Sequence, residues 1–178
     1  MQEKVILVNA QDKKMGEAEK IEAHKKGLLH RAFSIFIGRN EKEKTELLLQ
    51  KRSRDKYHSG GLWTNTCCGH PRPDENIHDA AQRRLKEEMG FCVDLKEISC
   101  FHYSAYFKNG LIENEIDHIF VGLVNNQIVE FNSAEIEEIN WMSWDDLEKD
   151  LVNYPERYSA WLPKALTLIK RKRGVFFA

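Results

Sequence analysis

The spacing of apolar and polar positions along the chain predicts short strands interspersed with helices. Six segments combine apolar, aromatic and β-branched residues over the length of a typical strand. We expect strands at Val5–Val8, His30–Ile37, Glu46–Gln50, Glu97–Phe107, Ile112–Val124 and Glu138–Met142. Polar turns are expected at Asn9–Lys14 and Glu41–Thr45, and a loop at Arg52–Gly61.

The clearest helix spans Asn76–Met89, where apolar residues recur at helical spacing. Asp74 or Asn76 can cap its first turn, and Gly90 suits its end. The segment therefore predicts an amphipathic helix with one face in the core.

Two further helices are predicted towards the C-terminus. Ser143 precedes one that runs to about Val152. Ser159 is expected to cap another that runs to about Lys172, with Pro163 in or near its first turn. Because no repeat or linker interrupts the pattern, we expect one α+β domain over residues 1–178.

Composition and charge argue against nucleic acid and anionic membranes as partners of this chain. The chain of 178 residues is 42% hydrophobic and 31% charged, with a net charge of −1, so no global field attracts nucleic acid or an anionic membrane. Its four cysteines include an adjacent pair, which favours reduced thiols over a disulfide framework. The N-terminal apolar run is too short for a signal peptide, so we expect a cytoplasmic protein.

The strongest motif lies in the segment Gly69–Phe91. It resembles the Nudix box, G-x5-E-x7-R-E-U-x-E-E-x-G-U, whose helix presents carboxylates to divalent cations on a diphosphate. The matching residues are Gly69, Glu75, Arg83, Leu85, Glu87, Glu88, Gly90 and Phe91. Arg84 stands where the box has a glutamate, and it adds a donor for phosphate on the helix face that carries Glu88. The alternative interpretation is a surface salt bridge between Arg84 and Glu88.

Two shorter motifs indicate a particular branch of this superfamily. Trp63–Pro71 reads WTNTCCGHP, and the residues from 113 to 115 read Glu-Asn-Glu. Together with the positions of His24 and His30, they resemble the type I isopentenyl-diphosphate isomerases. The resemblance covers nearly the whole chain and implies a Nudix-type mixed β-sheet sandwiched by helices, with an N-terminal metal-ligand segment at about residues 1–30.

This resemblance also implies a metal centre. Its ligands would be His24, His30, His70, Glu113 and Glu115. Three imidazoles and two carboxylates suit Mn²⁺ or Mg²⁺, with Zn²⁺ possible in vitro. A second Mg²⁺ would bind with the substrate through Glu88 and the main-chain carbonyl of Cys68.

The activity implied is a 1,3-proton shift that turns isopentenyl diphosphate into dimethylallyl diphosphate. Cys68 and Glu115 would transfer the protons, with Tyr103 beside the protonation site and Trp161 facing the developing cation. The diphosphate would be bound by Lys20, Arg52, Lys56 and Arg84. The expected partner is this small molecule, for a monomer or weak homodimer.

Some residues stay without a predicted role, and two rival functions stay open. His58, His78, His102 and His118 are interpreted as structural, and Cys92 and Cys100 as core residues. One rival is a Nudix hydrolase of a nucleoside or other diphosphate. The other is a binding module with a zinc site at Cys67, Cys68 and His70, although the cysteines lack the usual spacing.

Overall fold

A computed structural model describes residues 3–41, 44–125 and 127–172. The strands in these ranges are β1 (Lys4–Val8), β2 (Lys14–Glu19), β3 (His30–Glu41), β4 (Lys44–Arg52), β5 (Trp63–Thr64), β6 (Cys67–Gly69), β7 (Lys96–Tyr106), β8 (Ile112–Leu123) and β9 (Ile136–Ser143). The helices are α1 (Lys20–Lys26), α2 (Ile77–Met89), α3 (Trp144–Asn153) and α4 (Leu162–Lys170), with a 3₁₀ turn at Pro155–Arg157. None of these helices is long and apolar enough to cross a membrane.

Strand β3 is the centre of one mixed sheet. It pairs with β8 in parallel, so that His30 lies opposite Glu115. It pairs antiparallel with β1, β4 and β6. Strands β7 and β8 form an antiparallel pair, in which Tyr103 lies opposite Glu115. The sheet therefore brings residues from distant parts of the chain to one place.

Alternation along the strands divides the core between the two faces of the sheet. One face packs against α2 and includes Phe33, Ile35 and Ile37 from β3. The other face packs against α3 and α4 and includes Phe36 from β3. Helices thus cover both faces, and the predicted α+β sandwich is confirmed.

Most predicted boundaries agree with the structure. Asn76 accepts a hydrogen bond from the His78 amide at the start of α2, and Gly90 ends this helix in the left-handed region with φ of 79°. Ser143 caps α3 by accepting from the Asp146 amide. The expected turn at 41–45 includes residues 42 and 43, which lie outside the described ranges.

The proposed cap at Ser159 is wrong. Its hydroxyl lies 2.8 Å from the Thr64 hydroxyl, and α4 starts only at Leu162 without a side-chain cap. Pro163 does lie in the first turn of this helix. A buried tertiary hydrogen bond therefore takes the hydroxyl that the local sequence suggested for capping.

The sequence patterns also missed β2 and α1. Both are polar, and α1 has only seven residues. The Glu19 carboxylate caps α1 by accepting from two backbone amides, and Gly27 ends it with φ of 60°. A helix this short depends on tertiary contacts, which a periodicity argument does not include.

Candidate active site and metal centre

The predicted proton-transfer and substrate-binding residues line one cleft. These are Cys68, Tyr103, Glu115 and Trp161, together with Lys20, Arg52, Lys56 and Arg84. Of the predicted metal ligands, His70, Glu88 and Glu113 also reach the cleft wall, while His24 and His30 lie behind it, fully buried. The sheet register therefore gathers the whole predicted set into one region.

The adjacent cysteines point to opposite faces of the sheet. Cys67 pairs with Ile35 and packs in the apolar core under α2. Cys68 pairs with Ser34, packs against the opposite core and lines the cleft. Burial, together with the negative charge of Asp117, raises the pKa of the Cys68 thiol to about 12. Of these two thiols, only that of Cys68 faces the cleft. The expected core positions of Cys92 and Cys100 are wrong, because both residues are exposed.

A buried amide connects this thiol to the tryptophan. The Asn65 Oδ1 atom accepts hydrogen bonds from Cys68 Sγ at 3.1 Å, Trp161 Nε1 at 2.9 Å and Thr64 Oγ1 at 2.8 Å. The Asn65 Nδ2 atom donates to the backbone carbonyls of Ile35 and Cys67, which fixes the orientation of the amide. Asn65 thus orients two side chains of the cleft at once.

Three histidines and one carboxylate form a compact group behind the cleft. One ligand atom from each of His24, His30, His70 and Glu115 lies within 4.8 Å of the others. The Oε1 atom of Glu115 is 3.0 Å from His70 Nε2 and 3.2 Å from His30 Nε2. The backbone carbonyl of Lys20 accepts from His24 Nδ1 at 2.7 Å, and that of Leu28 from His30 Nδ1 at 2.7 Å.

The electrostatics of this group suit a cation. Burial lowers the pKa of His24 to about 4 and that of His70 to about 3, so both rings are neutral at pH 7 and keep a free lone pair. Burial alone would raise the pKa of Glu115, but contacts with His30 and His70 outweigh it and hold the pKa well below its ordinary value. The buried Nε2 atom of His24 has no hydrogen-bond partner among the described residues. The donor set therefore fits a divalent ion.

Glu113 lies beside this group rather than inside it. Its carboxylate is grouped with His24 and His58 within 4.8 Å, and the Tyr103 hydroxyl donates to Glu113 Oε2. Burial and the charge of Glu115 raise the pKa of Glu113. Glu113 thus shares His24 with the first group and brings a fourth imidazole close to it.

The cleft also has a basic wall, which consists of Lys20, Arg52, Lys56 and Arg84. Two of these cations contact carboxylates of the cleft lining. Lys20 Nζ lies 3.0 Å from Glu3 Oε2, and Lys56 pairs with Glu135. Burial lowers the pKa of Lys56 to about 8. The buried Nε atom of Arg52 has no hydrogen-bond partner among the residues described. This wall supplies the donors that an anionic group requires.

The one departure from the Nudix box is part of this basic wall. Arg84 pairs with the buried carboxylate of Glu88 and lies 2.9 Å from Glu87. Glu88 Oε2 also accepts from Gln50 Nε2 at 3.0 Å. The salt bridge between Arg84 and Glu88 that the sequence offered as an alternative is present. It is not a surface pair, because the carboxylate is buried and the guanidinium lines the cleft.

Close packing explains the glycine between Cys68 and His70. A Cβ atom on Gly69 would lie 2.9 Å from the Phe33 ring and 3.2 Å from the Arg84 side chain. The first distance is shorter than real Cβ contacts allow. A side chain at this position would displace either the core aromatic or the arginine of the cleft.

Sequence reasoning missed four residues at the site: Ser34, His58, Asn65 and Asp117. Ser34 donates to Asp117 Oδ2 at 2.8 Å and lies 3.8 Å from Cys68 Sγ. Alternation on β8 was a usable signal for Asp117, since it lies two residues after Glu115 and shares its face. His58 lies in a polar loop, where no periodicity indicates the direction of its ring.

Comparisons with known proteins show which family this chain resembles. The model for the NUDIX domain matches residues 28–162. Isopentenyl-diphosphate Delta-isomerase 2 of Aromatoleum aromaticum is 47% identical over 166 residues, which is 93% of this chain and 86% of the relative. The isopentenyl-diphosphate Delta-isomerase of Photobacterium profundum is 43% identical and covers 95% of both chains.

Solved structures share the fold at low identity. The DR0079 protein of Deinococcus radiodurans has a TM-score of 0.75 at 15% identity, over 93% of this chain and 98% of the other. The MutT protein of Methanosarcina mazei has a TM-score of 0.64 at 22% identity, over 82% of this chain and 95% of the other. These likenesses concern the fold alone.

Proposed function

This chain belongs to the isopentenyl-diphosphate Delta-isomerases built on a NUDIX domain, and we infer from that premise that it converts isopentenyl diphosphate into dimethylallyl diphosphate. The reaction moves a carbon–carbon double bond by one position. A proton is added to the terminal alkene carbon, and another is removed from the allylic carbon. The diphosphate stays intact throughout.

We assign both proton transfers to Cys68 and Glu115. One observation supports this pair most directly: β6 and β8 flank β3 from opposite sides, and both side chains line the same cleft. An acid and a base on opposite sides of a flat alkene are what a 1,3-shift requires. The Cys68 Sγ atom and a Glu115 carboxylate oxygen are the two atoms that hold and release the protons.

Two aromatic residues complete the reacting end of the cleft. The Tyr103 hydroxyl bonds to Glu113 next to Glu115, so it supports the protonation site. The Trp161 indole is held through its Nε1–H by Asn65 and borders the cleft with its ring. A ring face near a developing tertiary cation contributes about 0.5–2 kcal/mol in cation–π contacts. Because the Trp161 ring is buried, it also keeps away water that would react with the cation.

The basic wall is proposed to bind the diphosphate. Its side chains are Lys20, Arg52, Lys56 and Arg84. Phosphate oxygens would replace the carboxylates of Glu3 and Glu135 as partners of Lys20 and Lys56. Arg84 supplies a guanidinium where hydrolases of this fold carry a further carboxylate, which favours binding of the diphosphate over its cleavage.

We propose that His24, His30, His70, Glu113 and Glu115 hold a Mn²⁺ or Mg²⁺ ion, with Zn²⁺ accepted in vitro. When bound, this ion supplies positive charge that changes the acidity of the Glu115 carboxyl. A second Mg²⁺ is proposed to bind with the diphosphate through Glu88 and the Cys68 carbonyl. A cytoplasmic location and a monomer or weak homodimer, both expected from the sequence, belong to the same proposal.

The test is incubation of the purified protein with isopentenyl diphosphate and Mg²⁺. Proton NMR follows the alkene signals, and phosphorus NMR follows the diphosphate. We expect dimethylallyl diphosphate to accumulate without inorganic phosphate or monophosphate. Release of phosphate from this substrate, or from a panel of nucleoside diphosphates, would instead establish the rival hydrolase function.

A further inference from the structure

A fourth imidazole lies at the edge of the proposed metal centre. His58 belongs to the loop between β4 and β5, and its side chain is only 2% exposed. Its Nε2 atom lies 3.0 Å from Glu113 Oε1. The contact lacks hydrogen-bond geometry, so this nitrogen counts among the buried polar atoms without a hydrogen-bond partner in the described part of the chain.

Packing fixes the direction of the His58 ring. The ring stacks on Phe107 at 4.6 Å between centroids and an interplanar angle of 19°. It lies nearly parallel to His24 at 5.8 Å and 25°, and its edge meets Tyr57 at 4.4 Å. Its Nδ1 atom is 3.2 Å from the Ser59 hydroxyl, which leaves Nε2 directed at Glu113. A ring held from three sides is preorganised for a ligand.

The two groups of candidate ligand atoms share one histidine. His24 belongs to both: to the group with His30, His70 and Glu115, and to the group with His58 and Glu113. The Lys20 carbonyl already engages His24 Nδ1, so only the Nε2 lone pair is available for a cation. A single lone pair binds a single ion. An ion on this lone pair would therefore lie near ligand atoms of both groups.

We propose that His58 is a direct ligand of this ion through Nε2, so that the centre has four imidazoles and two carboxylates. The proposal rests on the five-ligand centre of the proposed function and adds a sixth ligand to it. Six protein ligands fill an octahedral shell and leave no position for water. Four nitrogen donors also favour borderline transition metals over Mg²⁺, which prefers oxygen ligands.

The alternative role for His58 is to orient Glu113 by a hydrogen bond. A glutamine at position 58 separates the two roles, since its amide can still donate to Glu113 but is a poor ligand for a borderline metal. The matched control is His102→Gln, because His102 is exposed on β7 and bonds to Asn114 outside the cluster.

The experiment titrates metal-free protein with Co²⁺ by calorimetry and counts imidazoles around Co²⁺ by X-ray absorption. We expect one ion per chain and four imidazoles in the wild type. His58→Gln should show three imidazoles and a loss of affinity of more than about 100-fold, beyond the range for residues that only orient a ligand. His102→Gln should match the wild type.

Other outcomes identify what has failed. Three imidazoles in the wild type, or wild-type affinity in His58→Gln, would overturn the role of His58. If His70→Gln then still loses the ion, the five-ligand centre stands without His58. If the wild type binds no Co²⁺, the centre itself fails. Thermal unfolding of each metal-free variant checks the fold, and His58→Asn replaces His58→Gln if the latter does not fold.

Discussion

Cys67 and Cys68 are neighbours in sequence but face two different environments. Cys67 lies in an apolar core, packed under α2 with Ile35 and Leu48. Cys68 lines a cleft together with carboxylates, Trp161 and four cations, and its thiol donates to the Asn65 amide oxygen. The same strand therefore presents one thiol to the core and the next to the cleft. Alternation along a strand, rather than residue type, decides which cysteine can react.

Replacement of both cysteines in turn is the strongest test of this comparison. Cys68→Ala removes the proposed proton-transfer thiol and should lower turnover by roughly 10²–10⁴-fold. Cys67→Ala should retain turnover and lose about 1–2 kcal/mol of stability, because it leaves a small cavity in the core. Steady-state kinetics and denaturant unfolding measure both. Loss of turnover in Cys67→Ala with Cys68→Ala active would reverse the assignment.

Asn65→Ala tests how the functional face is organised. The substitution removes the acceptor shared by Cys68 and Trp161, so both side chains lose their fixed positions. We expect kcat to fall by about 10²-fold with little change in KM, since misplaced groups affect the reaction more than binding. A change confined to KM would show that Asn65 acts on substrate binding instead. Thr66→Ser, on the same segment, is the control.

Arg84→Glu tests the basic wall. It restores the carboxylate of the Nudix box and removes a charged donor from the cleft. We expect KM for isopentenyl diphosphate to rise by about 10–100-fold, the range for one charge-assisted hydrogen bond. We expect no efficient release of phosphate from the variant. Phosphate release that approaches the rate of isomerisation would mean that Arg84 alone separates this enzyme from hydrolases. Arg83→Glu, which removes a guanidinium paired with Glu75 outside the cleft, is the comparison.

The buried histidines predict the pH dependence of the metal-free protein. Burial lowers the pKa of His24 to about 4 and of His70 to about 3, whereas both titrate near 6.5 when unfolded. At these two histidines the unfolded chain binds more protons than the native one below pH 6.5, so they lower stability as pH drops towards 4. His30, whose pKa is raised by its contact with Glu115, acts in the opposite direction. Thermal unfolding in chelator should show this decline. His24→Gln should reduce its slope, and an unchanged slope would mean that other groups cause the decline.

The resemblance of the motifs to a known family implied most of the site, and regular elements predicted the directions of some of its side chains. The residues Glu113 and Glu115 share a strand face, and Arg84 and Glu88 share a helix face, so their spacing determines their directions. The caps at Asn76 and Ser143 were predictable for the same reason. The role of each site residue stays a prediction until the variants are measured.

The residues that the sequence did not predict depend on long-range packing. The direction of His58 is set by Phe107 and His24, which come from distant parts of the chain. Ser159 is locally suited to cap a helix, but a hydroxyl on β5 competes for it. Local patterns carry no information on such long-range partners.

The parallel register of β3 and β8 also affects how the protein matures. His30 and Glu115 become neighbours only when these two strands pair, and pairing of segments so distant in the chain forms slowly. A nascent chain that ends before Ile112 carries His24, His30 and His70 without either glutamate of the proposed centre. Ion binding would therefore stabilise only chains in which β3 and β8 have already paired. Added metal should then raise the final yield of refolding more than its initial rate.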